Sequence, residues 1–103
     1  MSSRVLLSNR DLDRYGSDEL DRVSPYLSRG ARNGEGEGSA FVGTIHADWS
    51  KLETAEQARV AEDMVETLRA QGVREVMVFD DKRRLRIQAL GTQPARIVAA
   101  GSP

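Results

Sequence analysis

From residue 56 to residue 69 the chain can fold into little other than an amphipathic helix. At about 100° per residue, Ala58, Ala61, Met64, Val65 and Leu68 share one arc, while Glu56, Arg59, Glu62, Asp63, Glu66 and Arg69 fill the other. A helix divided in this way lays one face on a sheet and leaves the other in water. The flanking residues supply that sheet. Phe41, Gly43, Ile45, Ala47 and Trp49 alternate with Val42, Thr44, His46 and Asp48, a period of two that predicts a strand from Ala40 to Asp48 with the first set facing the core.

Ser50 with Glu53, or Thr54 with Gln57, offers a capping box for the helix start. Gly72 supplies the left-handed residue that ends it. Glu75 to Asp80 reads as the next strand, and Asp81-Lys82 as a two-residue turn into a further one. That turn sets Val78 opposite Leu85 and Val76 opposite Ile87 on the core face. On the reverse face it sets Phe79 opposite Arg84, Met77 opposite Arg86 and Glu75 opposite Gln88. Residues 95 to 100 add an optional edge strand.

Upstream, Val5, Leu6 and Leu7 form a brief apolar run typical of a buried strand. Ser17, Asp18 and Glu19 mark a helix start, with a capping hydroxyl and carboxylates in the positive first turn. Leu20, Val23, Leu27 and Ala31 continue the helical stripe, and Pro25, which lacks an N–H, predicts a kink or a restart behind Ser24. Gly30 to Ser39 carries four glycines and no large apolar group, which predicts a flexible loop. Its glycines follow a helix and precede a strand, the reverse of the order a phosphate cradle requires.

The expected fold class is therefore an α/β (α+β) two-layer sandwich, with two helices on one face of a mixed sheet of four or five strands in the order β-α-β-α-β-β(-β). At 103 residues the chain makes a single domain, 1-103, with the glycine-rich loop at 30-39 and a frayed tail at 101-103. Only 5% of residues are aromatic, so small aliphatic side chains must build the core.

Function is approached by elimination. Fifteen Lys and Arg against sixteen Asp and Glu give a net charge of -1, which argues against a surface that binds nucleic acid or anionic lipid throughout. No cysteine is present, so disulfides, thiolate metal sites and thiol nucleophiles are excluded together. No apolar run approaches the roughly 20 residues of a membrane span, and a cytoplasmic location without membrane partners is expected. Asp11, Asp13 and Gly16 fall at positions 1, 3 and 6 of a calcium loop, but Tyr15 at position 5 and Arg22 at position 12 break it. No metal or other cofactor is expected. His46 with Asp48 two residues on is the one pairing with acid-base character, weighed as a small-molecule or enzyme site and set below a half-exposed strand histidine.

Lys82, Arg83, Arg84 and Arg86 make one basic cluster, which suits nucleic acid, although exposed aromatics to stack bases are few. The uncovered sheet face carries Val42, Thr44, His46, Met77, Phe79, Arg84 and Arg86, a mixture enriched at protein interfaces. The sequence thus favours a non-enzymatic protein-interaction or assembly module with no catalytic residues, docking a protein partner or self-associating as a homodimer through that face. Acidic residues 11 to 21 and basic residues 82 to 86 offer complementary charge. A nucleic-acid-binding hairpin is the alternative.

Overall fold

A computed structural model describes residues 12–33 and 39–98. Strand β1 (Leu12–Arg14) leads into helix α1 (Ser17–Val23), and β2 (Leu27–Asn33) pairs with β3 (Ser39–Ile45). A four-residue helix α2 (Ala47–Ser50) and the long helix α3 (Thr54–Ala70) follow, and β4 (Val73–Phe79), β5 (Leu85–Leu90) and β6 (Arg96–Ile97) complete the fold. Among the described residues the strands form one six-stranded mixed sheet in the order β1-β2-β3-β4-β5-β6. Only β3 and β4 run parallel, which requires a crossover, and α2 with α3 supplies it.

One face of this sheet is roofed. Phe41, Ile45, Val76, Val78 and Ile87 from the strands meet Leu20 and Val23 of α1 and Ala61, Met64, Val65 and Leu68 of α3 in one apolar cluster. Burying each large side chain contributes about 1.5–3 kcal/mol, so the helix stripe read at 58–68 is what fastens the layers. Gly30 lies opposite Gly43 in the β2–β3 ladder. A Cβ at Gly30 would stand 2.5 Å from the Phe41 ring and one at Gly43 2.6 Å from it, so the paired glycines make the slot that this ring fills. Tyr15 closes the slot edge-on, its ring 5.2 Å from that of Phe41.

The α+β class and the expected strand, helix, strand and hairpin from Phe41 to Leu90 hold, as does the edge strand at the C-terminal end. Gly72, at φ 94°, sits just past the end of α3. The N-cap of α1 is Gly16 in place of the expected Ser17, and five further local expectations do not survive. First, the chain neither kinks nor restarts a helix at Pro25. It leaves α1 at Ser24, whose hydroxyl accepts the Tyr26 N–H at 3.2 Å, and turns into a strand. Leu27 and Ala31 thus belong to β2, and the element order gains a strand between α1 and β3. Second, Gly30 to Asn33 lies within β2, where pairing with β3 replaces the expected loop.

Third, the strand ends at Ile45, so Trp49 enters the core from α2. Fourth, α3 begins at Glu53 without a side-chain cap, and Gln57 Nε2 instead donates to the Trp49 and Ser50 carbonyls at 3.2 Å. Fifth, the hairpin register moves by two residues, to Val78 opposite Ile87 and Val76 opposite Ala89. A shift of two keeps Ile87 on the core side and Gln88 on the reverse, but Phe79 moves by one, to Leu85, which exchanges the sides of Leu85 and Arg86. The expected strand at Val5–Leu7, the tail at 101–103 and residues 34–38 of the loop lie outside the described residues. Among the described residues no helix is long and apolar enough to cross a membrane.

Candidate interaction face

The uncovered face is laid out by strand register. One row crosses the whole sheet, Arg14 beside Ala31, Val42, Met77, Gln88 and finally Arg96. The row on one side of it runs Arg29, Thr44, Phe79 and Leu85, and the row on the other Asn33, Ala40, Glu75 and Leu90. In the first row apolar residues therefore occupy the middle and arginines both ends, while Glu75 lies in the middle of the third. Val42 and Leu90 are the exposed large hydrophobic residues, at 39% and 43%. Met77, Phe79 and Leu85 are half-buried by their neighbours alone.

Of the seven residues expected on this face, Val42, Thr44, Met77 and Phe79 come together as cross-strand pairs, Val42 with Met77 and Thr44 with Phe79. His46 stands beyond the end of β3, exposed, and serves as the N-cap residue of α2. Its backbone N–H donates to the Tyr26 carbonyl at 2.7 Å. Asp48 is paired with Lys51 at 3.7 Å, not with His46.

Arg84 and Arg86 depart from the expected geometry because the hairpin is not a two-residue turn. Asp80, only 5% exposed, holds the loop from within: its Oδ1 accepts the Lys82 and Arg84 N–H groups at 2.9 Å, and its Oδ2 accepts Arg84 Nε at 2.9 Å. A carboxylate at this position favours the wider loop, since it binds two N–H groups that a tight turn would not present together. Arg83 takes φ 64° to close it, a left-handed conformation that costs a non-glycine residue about 1 kcal/mol. Burial pushes the Asp80 carboxyl up. The N–H, guanidinium and charge of Arg84, with the Lys82 N–H, outweigh that and hold it below the ordinary carboxylate value.

The wider loop ends in a bulge, because Val78 opposes Ile87 while Phe79 opposes Leu85, leaving Arg86 as the extra residue. Arg86 consequently turns to the helix side and is only 6% exposed. Its guanidinium lies 5.0 Å from the centroid of the Trp49 ring, Nε donates to the Val98 carbonyl at 2.9 Å and NH1 to the Ser50 hydroxyl at 3.2 Å. Asp80 Oδ2 is 3.9 Å away. Arg86 is a fastener between α2, the hairpin and the chain after β6, and does not belong to the open face.

Glu75 and Gln88 lie on the face as expected, though not opposite each other, while Ala31, Leu85 and Leu90, with Arg14, Arg29 and Arg96, complete it unanticipated. The first half of the sheet was hidden by the helical spacing of Leu27 and Ala31, and Leu85 by the bulge at Arg86. Pro25 followed by Gly30 was the available signal that no helix continues there.

Two grooves flank the layers. On the sheet side, a groove of about 880 Å³ is lined by Arg14, Arg29 and Arg83 together with Val42, Thr44 and Phe79, and reaches round the β2 edge to Tyr15. On the helix side, a groove of about 670 Å³ between α1 and α3 is lined by Asp21, Asp63 and Glu66 together with Pro25, Tyr26 and Val60. Among the described residues no group of three or more His, Cys, Asp or Glu side chains is placed to hold a metal ion. The chain matches no protein family, no curated protein and no solved structure.

Proposed function

We propose that this protein is a non-enzymatic interaction module that docks a protein partner on its uncovered sheet face. The observation that carries the reading is the row from Arg14 to Arg96, apolar at its centre and cationic at both ends. A solvent face needs no such centre, and an apolar centre inside a charged rim is how interfaces are built. The arginine rim favours a partner that presents an apolar patch bordered by carboxylates.

Affinity capture from the native source with the wild type and with Val42→Glu tests this. A protein retained by the wild type and lost by the variant, at unchanged thermal stability, is the expected result. Identical capture by both overturns the reading.

Nucleic acid is the second reading, favoured by Arg14, Arg29 and Arg83 lining one groove with Phe79. It requires retention of oligonucleotides that falls steeply with salt. Absence of retention at low salt ends it.

A further inference from the structure

We propose that the acidic, apolar-centred surface this face accepts is present on the chain itself, so that copies associate head to tail, the sheet side of one on the α1–α3 groove of the next. This rests on the preceding reading of the sheet face and names its partner.

The two grooves lean to opposite charge, and among the described residues no ion pair offsets either. Arg14, Arg29 and Arg83 line the sheet-side groove, and none makes an ion pair among the described residues. Asp80 borders the same groove, but its oxygens are spent on Lys82 and Arg84. Across the molecule, Asp21, Asp63 and Glu66 outnumber Arg22 in the helix-side groove, and these three carboxylates likewise make no ion pair among the described residues. The helices as a whole lean the same way, α1 and α3 together carrying seven acidic and three basic side chains.

In a protein of net charge -1, the sheet-side groove thus leans cationic and the helix-side groove anionic. Both grooves also have apolar linings, Val42 and Phe79 on one, Pro25, Tyr26 and Val60 on the other. Contact between sheet faces across a two-fold axis would set arginines against arginines, which opposes the isologous dimer. Contact between unlike sides joins opposite charges and leaves one free groove of each kind, so assembly is open-ended unless it closes into a ring.

Sedimentation equilibrium of the full chain, at low and high salt, tests the proposal with two near-isosteric variants, Arg29→Gln/Arg83→Gln and Asp63→Asn/Glu66→Gln. For the wild type at low salt the average mass should rise with concentration, and association should weaken about tenfold in either variant and at high salt. Mixing the two variants should restore association but stop at a 1:1 pair, because each retains one working side. A strictly monomeric wild type overturns the inference, as does a mixture no more associated than its components.

A plain dimer abolished by Val42→Glu but indifferent to Asp63→Asn/Glu66→Gln also overturns it, while leaving the sheet face as the docking surface. A partner captured equally by wild type and Val42→Glu would instead remove the reading beneath it.

Discussion

The two faces of the sheet are made from similar side chains and treated differently. On the covered side Phe41, Ile45, Val76, Val78 and Ile87 are at most 1% exposed. On the other, Val42, Met77, Phe79, Leu85 and Leu90 occupy corresponding positions with no helix above them among the described residues. Alternation along β3 and β4 places apolar residues on both sides, as in sheets buried on both faces. The fold supplies one roof, and the difference between the faces is the basis for assigning the second face to a partner.

The comparison breaks first at Trp49, the largest side chain of the covered side. Trp49→Ala should lower stability by about 3–5 kcal/mol, measured from the shift in denaturant midpoint. The indole N–H makes no hydrogen bond among the described residues, so Trp49→Phe should cost much less than Trp49→Ala.

Arg86 sharpens the distinction, since its strand neighbours line the open face and it does not. Arg86→Met forfeits the bonds to Val98 and Ser50 and the stacking on Trp49, and should cost about 2 kcal/mol in thermal unfolding. A change confined to association would place it on the open face after all.

Asp80 comes next. Its carboxyl is held below its ordinary value in the folded protein. The stabilisation this brings is therefore present above the unfolded pKa, near 3.9, and is lost as pH falls through the lower folded value. Asp80→Asn should cost about 1–2 kcal/mol at pH 7, a gap that narrows as acid titrates the wild type, followed by thermal unfolding from pH 7 to 3.

The smallest effect belongs to the open side. Val42→Thr should change stability by no more than about 0.5 kcal/mol, and a larger loss would mean that the face is packed within the molecule.

Reading the chain alone recovered the covered side well. The helical period at 58–68 and the alternation at 41–45 are signals of burial, and burial on one side of a regular element is what sequence periodicity records. The open face was recovered in its centre, at Val42, Thr44, Met77 and Phe79, with Glu75 and Gln88 beside them. Arg86 was misplaced because a bulge inserts one residue, and alternation carries no mark of it. Its cause, the buried Asp80 that gathers the Lys82 and Arg84 N–H groups, depends on a burial that no local pattern announces. Leu27 and Ala31 fit a helical stripe by spacing alone, while the partner that makes them a strand is a β3 residue such as Ile45 or Val42, more than ten positions away.

The row from Arg14 to Arg96 also sets a width. Six strands at about 4.8 Å separate its two arginines by about 24 Å, twice the 10–12 Å girth of a helix with its side chains. A lone helix or extended peptide aligned with the strands would reach one arginine and leave the other in water. Whatever engages both ends must run across the strands or present a surface as broad as a folded domain.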